Sequence, residues 1–130
     1  REGKVHAISC TGANLEEDVF NLISNRNYEI IPSWRDLSPD DELELRNRGM
    51  NRITDTCIPE SAMRQIEERL LDCWQRAAAQ GDRRMPVDFF FEVLGDPTLA
   101  EYYQIDPAHS WLLAAKEVGI PVYVPGLTDK

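Results

Sequence analysis

The residue types best suited to chemistry are concentrated in one stretch, where Thr11, Gly12, Ala13 and Asn14 are followed closely by Glu16, Glu17 and Asp18. Small residues let a ligand approach the main chain, and amides left unpaired at the start of a helix favour an anion such as a dinucleotide phosphate. Adjacent carboxylates suit different work: one can take both hydroxyls of a ribose, and two can hold a chain carrying two positive charges. The same acids also admit a structural reading. Asn14 can cap a helix with Glu17 three positions later completing a capping box, and Glu16 to Asp18 would then complement the macrodipole. Either way a helix is expected from about Leu15 to Ser24, burying Leu15, Val19, Leu22 and Ile23.

These residues need a scaffold. Val5, Ala7 and Ile8 suit a buried strand leading into the turn, with Cys10 filling its end. A short extended stretch at Tyr28 to Ile31 runs into Pro32, and Ser38 before Pro39, Asp40 and Asp41 marks a helix start whose helix stops at Gly49. Met50 to Ile58 reads as an irregular apolar connection holding Asn51, Arg52, Asp55 and Thr56. Pro59 opens the longest helix, residues 60–80, with Met63, Ile66, Leu70, Cys73, Trp74 and Ala77 on one face and Arg64, Glu67, Glu68 and Asp72 on a solvated one. Pro86 begins a helix with three successive aromatics, Phe89, Phe90 and Phe91, which point in different directions, so that one is expected against a neighbouring layer or subunit. Asp106 and Pro107 start a helix ending at Gly119, whose left-handed cap precedes a strand from Ile120 to Val124.

Strands separated by helices, each followed by a loop with ligand-type residues, define an α/β class with a Rossmann-like parallel sheet flanked by helices. Ligands of such sheets bind beyond the carboxyl ends of the strands. Thr11 to Asn14 and Leu127 to Asp129 are therefore expected on one edge, facing one cleft. The GxGxxG fingerprint is absent, which speaks against a dehydrogenase of ordinary type.

Three stretches taken together, KVHAISCTGANLEEDVF (4 to 20), LRNRGMNRITDTCIPE (45 to 60) and SWLLAAKEVGIPVYVPGLTD (110 to 129), resemble deoxyhypusine synthase. That family has a Thr-Ala-Gly-Gly-Val-Glu-Glu-Asp turn before a helix, then a Gly-Ile-Asn-Arg-Ile segment ending in a Pro, then an Ile-Pro-Val-Phe-x-Pro-x-Leu-Thr-Asp strand and loop. The wording of residues 9–15 and the WRDLSPDDE stretch are similar to the bacterial and archaeal deoxyhypusine synthase-like branch. The family has Gly where this chain has Asn14, and a Gly- or Ser-led loop where it has Lys130.

The resemblance implies an NAD-dependent transferase that moves an aminoalkyl group from a polyamine such as spermidine to a lysine or a small amine. It places NAD contacts on Thr11, Gly12, Ala13 and Asp129, and polyamine contacts on Glu16 and Glu17, with Glu17 also reaching the cofactor. The family's lysine nucleophile has no counterpart in residues 1–130; Lys4 starts a strand and Lys116 sits near a helix C-terminus, where the dipole accounts for it. The resemblance also implies a homo-oligomer, a tetramer in the family, with active sites between subunits. Chain length and the strand at each extreme are expected of an internal portion of a longer domain. The alternative function is a non-catalytic binding subunit that retains half of an NAD and polyamine cleft.

Composition narrows the partners. Acids outnumber bases 23 to 14 and the formal charge is −9, which disfavours a nucleic-acid backbone and accepts a cationic ligand. Cys10, Cys57 and Cys73 have no paired spacing and only His6 and His109 could join them, so neither a disulfide framework nor a zinc site is expected. No apolar run approaches a bilayer span, and a cytoplasmic protein is the default expectation.

Overall fold

The computed structural model describes residues 2–126. Strand β1 (Ile8–Ser9) pairs in parallel with β5 (Val122–Tyr123), Ile8 opposite Val122 and Ser9 opposite Tyr123. Two further amide bonds lengthen the pairing: Ile8 N–H donates to the Pro121 carbonyl at 2.9 Å and Cys10 N–H to the Tyr123 carbonyl at 3.0 Å. Pro121 precedes the strand and offers only its carbonyl, so its missing donor costs the ladder nothing. The α/β expectation of a parallel pair flanked by helices holds.

Between these strands run α1 (Gly12–Ser24), β2 (Glu29–Ile30), α2 (Pro39–Asn47), β3 (Met50–Ile53), β4 (Thr56–Pro59), α3 (Glu60–Gln80), α4 (Pro86–Leu94), α5 (Pro97–Ala100) and α6 (Trp111–Val118). The core lies where α1, α3, α4 and α6 pack together. Leu15, Val19, Leu22 and Ile23 are buried along one face of α1, as their helical spacing requires. Ile66, Leu70, Cys73 and Ala77 do the same for α3.

Several local expectations are met by their physics. Ser38 caps α2: the Asp41 amide donates to the Ser38 hydroxyl, and the Ser38 amide donates to the Asp41 carboxylate at 2.8 Å. The Ser38 hydroxyl, which also donates to that carboxylate at 2.6 Å, and after it the Ser38 amide hold the Asp41 carboxyl below the usual carboxylate range. Gly119 ends α6 at φ 74, a left-handed value that glycine adopts without a Cβ clash, and its amide closes onto the Ala115 and Lys116 carbonyls.

Other expectations are corrected. Met50 to Ile58 is not irregular: β3 and β4 form an antiparallel hairpin, and β2 adds to it in the order β2-β4-β3. Val5 is 52% exposed because the strand starts three residues later than its apolar run suggests, and Cys10 is only half-buried. Trp74 is 44% exposed, since its ring covers the edge of Phe89 at 6.3 Å between centroids instead of entering the core. Phe89 and Phe90 are buried and Phe91 packs partly buried on the same core, α4 being in contact with both α3 and α6. The expected single helix from Asp106 is a short 3-10 turn, Pro107–His109, followed by a fresh start at Ser110, whose hydroxyl accepts the Leu113 amide at 3.0 Å.

Candidate functional site

Helix α1 begins at Gly12, one turn before the Asn14 cap allows. Thr11 is the N-cap: its hydroxyl oxygen accepts the Asn14 amide at 3.3 Å and its proton goes to the Asn14 side-chain oxygen at 2.9 Å. Thr11 and Asn14 stand at N-cap and N3 spacing, so the same polar pair serves an earlier start, and Ala13 costs the added turn nothing in propensity. The proposed box between Asn14 and Glu17 is therefore absent. Glu16, Glu17 and Asp18 fall beyond the first turn, which contains no acid. Because the dipole term fades within one turn, it does not explain them.

Asp18 has a different occupation. Its carboxylate accepts from the Ser110 hydroxyl at 2.6 Å and from the Trp111 and Leu112 amides at 3.3 Å each, capping the start of α6 from α1. Ser110 is 2% exposed, so this carboxylate satisfies a buried hydroxyl as well as helix-end amides. Nothing in local sequence signals a bond across 92 residues.

Glu17, one residue earlier, is not committed in this way: among the described residues no hydrogen bond or ion pair occupies it, and its nearest electrostatic neighbour is Tyr28. It lines two clefts. The larger, about 530 Å³, lies between α1, the β2-β4-β3 sheet and Trp111, with Asn14 and Asn21 one turn to either side of Glu17 and Thr54, Thr56 and Ile58 opposite. The smaller, about 260 Å³, lies between α1 and α3, where Ala13, Glu16 and Glu17 face Met63, Ile66 and Glu67. Glu67, read from sequence as solvated surface, is exposed and stands at the edge of this cleft. Among the expected site residues, Ala13, Glu16 and Glu17 are brought together. Thr11 and Gly12 sit at the carboxyl end of β1 and line neither cleft, and Asp129 lies outside the described residues.

The floor of the larger cleft has unusual polar features. The Tyr28 hydroxyl is shielded from solvent and has no hydrogen-bond partner among the described residues. Burial, with the Glu17 charge beside it, pushes its ionisation up to about 12. Thr54 stands at φ 56, a left-handed conformation unfavourable for a β-branched residue. Arg52 holds it there, donating to the Thr54 carbonyl at 2.7 Å. Arg52 is fixed in turn by Glu42 of α2 and by the Trp34 ring, 5.5 Å from its guanidinium carbon. Sequence reading noted Arg52 and Thr56 without a role; the pattern offered no sign that Tyr28, Thr54 or Asn21 would share a wall with Glu17.

No group of three or more metal-ligating side chains stands together among the described residues, and no described helix is long and apolar enough to cross a membrane. Cys57 and Cys73 are buried, and burial raises their thiols above the ordinary value.

A parallel strand pair with a capped helix start at its carboxyl edge, flanked by packed helices, defines the class as α/β. The deoxyhypusine synthase family model matches residues 1–130, and the chain belongs to that family. It is 26% identical over 129 residues to a probable deoxyhypusine synthase 1 of Methanosarcina acetivorans, covering 99% of this chain and 36% of the relative. It is 29% identical to a deoxyhypusine synthase of Encephalitozoon cuniculi, covering 96% and 34%, and 32% identical to a probable deoxyhypusine synthase of Halobacterium salinarum, covering 99% and 34%. The chain spans about a third of the length of the curated relatives it matches.

Proposed function

We propose that this chain is the central part of an NAD-binding domain in a transferase that moves an aminoalkyl group from a polyamine such as spermidine to a lysine or a small amine. The observation that carries the reading is Glu17, a carboxylate without a structural partner among the described residues, at the junction of two clefts whose walls combine carboxylate and aliphatic groups. Ammonium groups separated by methylenes match such walls: carboxylates take the charges and apolar side chains take the carbons. Glu16 borders the smaller cleft from the same helix.

The turn fits a dinucleotide at the level of its own residues. Thr11 and Ala13 are exposed at the carboxyl edge of the parallel pair, and the leading amides of α1, at Gly12 and Ala13, occupy positions that a helix leaves without an intrahelical acceptor. Thr11, Gly12, Ala13 and Glu17 would hold NAD, with Asp129 completing the set. When bound, NAD supplies a hydride acceptor for the amine carbon. The work of this chain is to seat the amine: Glu17 and Glu16 keep the ammonium ends in place, and Ile58 and Ile66 in the two clefts contact the carbons between them.

Neither cleft is lined by a lysine among the described residues: Lys4 pairs with Glu2, and Lys116 lies beside Gly95 on another face. The nucleophile is assigned to another part of the protein, and a homo-oligomer in the cytoplasm is the expected setting. The same observation favours the second reading, a non-catalytic subunit that binds polyamine and NAD beside a complete partner. Mixing the intact protein with NAD and spermidine separates the two. A rise in reduced-nicotinamide absorbance supports the transferase; spermidine binding without that rise supports the non-catalytic subunit.

A further inference from the structure

We propose that the cleft between α1 and the β2-β4-β3 sheet is the seat of one alkylammonium end of the ligand, with Thr54 and Thr56 contacting the nitrogen alongside Glu17, and Ile30 and Ile58 contacting the adjoining methylenes. This rests on the polyamine reading and deepens it, because none of these four residues belongs to the motif contacts at the start of α1.

The hydrogen-bond inventory sets the ligand's polarity. Thr56 directs its hydroxyl proton to the Asp55 carboxylate at 3.1 Å, and Thr54 directs its own to the Ile53 carbonyl at 2.7 Å. With those protons engaged, what the two hydroxyls retain is lone pairs. Asp18 lines the same cleft, yet its oxygens already accept from Ser110, Trp111 and Leu112. Glu17 is then the carboxylate open to a ligand. One carboxylate and two acceptor-only hydroxyls suit a group with several N–H donors and a positive charge, and they repel a phosphate or carboxylate.

Two independent features mark the place as built for a ligand. The Tyr28 hydroxyl on the cleft wall is buried without a partner, a state that native structures rarely leave uncompensated. Thr54 is held in the left-handed region by the Arg52 bond to its carbonyl, which fixes its position on the rim opposite α1. The isoleucines add an aliphatic strip beside the acceptors, so a charged nitrogen and its carbon chain are both matched.

The test compares Thr56→Val and Tyr28→Phe in the intact protein, both near-isosteric, with melting temperature checked to within about 2 °C of wild type. Spermidine and NAD are titrated separately by calorimetry. Thr56→Val is expected to weaken spermidine by about tenfold or more, the worth of one hydrogen bond to a charged group, and to leave NAD affinity unchanged. Spermidine should also perturb the tyrosine ultraviolet spectrum of wild type, with that signal lost in Tyr28→Phe. Unchanged spermidine affinity in Thr56→Val, or an equal loss for NAD, overturns the assignment while spermidine-dependent NAD reduction in wild type leaves the transferase reading standing. A wild-type protein that binds neither spermidine nor putrescine overturns both.

Discussion

The acidic groups at the α3–α4 contact and Glu17 on α1 have opposite occupations. Glu92 of α4 accepts from Arg76 and Arg84, both at 2.7 Å, and Asp96 pairs with Arg69 of α3 while its other oxygen caps α5 through the Thr98 amide. On α1, Asp18 is held by donors from α6, whereas Glu17 beside it meets no hydrogen-bonding or ion-pair partner among the described residues. The same carboxylate is structural where an arginine or a helix start faces it, and the ligand role proposed for Glu17 rests on its facing a cleft instead. A negative chain with many acids hides that distinction until each carboxylate is traced to its donor.

The comparison is broken most directly at the adjacent pair on α1. Asp18→Ala should destabilise the intact protein by about 3 kcal/mol, because the Ser110 hydroxyl and the Trp111 amide lose a charged acceptor inside the fold. Urea unfolding measures it; a midpoint equal to wild type would return Asp18 to the solvated surface. Next in size, Glu17→Gln should leave the unfolding free energy within about 0.5 kcal/mol of wild type and weaken spermidine by roughly 1.5 to 3 kcal/mol, around tenfold or more. Equal stability losses in the two variants would erase the difference between them.

The sequence disclosed most of the scaffold. Ser38 with Asp41, Gly119 after Lys116, and the three-and-four spacing of Ile66, Leu70, Cys73 and Ala77 are local signals, and the structure repeats them. The parallel pair was legible as two apolar runs followed by ligand-type loops. What stayed hidden was non-local or used unusual residues. The β3–β4 hairpin turns through Thr54 and Asp55, where Gly or Asn would have announced it, and Thr54 adopts the left-handed angle anyway because Arg52 secures its carbonyl. Asp18 reaches a helix start 92 residues away, and the wall facing Glu17 comes from a sheet that was not anticipated. Thr11 and Asn14 offered two caps at helical spacing, and local rules do not say which begins the helix.

Thr54 sharpens the comparison from the cleft side, with a smaller effect. Thr54→Gly removes the Cβ clash of a left-handed β-branched residue, a gain of about 1 to 2 kcal/mol, against which glycine loses about 0.5 to 1 kcal/mol in the unfolded chain. The net expectation is a protein more stable by up to about 1.5 kcal/mol that binds spermidine more weakly, having lost the Thr54 hydroxyl. Stability rising with affinity unchanged would mean that the strain serves the hairpin alone.

The smallest effect is expected where carboxylate and arginine are already matched at the surface. Hydrogen bonds from Arg76 first and Arg84 second lower the Glu92 carboxyl from 4.5 to about 2. A folded-state pKa below the unfolded one means that the folded protein binds fewer protons, so the stabilisation is present above about 4.5 and is lost as pH falls toward about 2. Because the group is a third exposed and screened by solvent, the contribution is modest. Glu92→Gln should therefore flatten the fall in melting temperature between about pH 4.5 and 2 and change little at neutral pH. An acid slope that Glu92→Gln does not alter would show that the arginine bonds at α4 give the fold no more than Glu17 does.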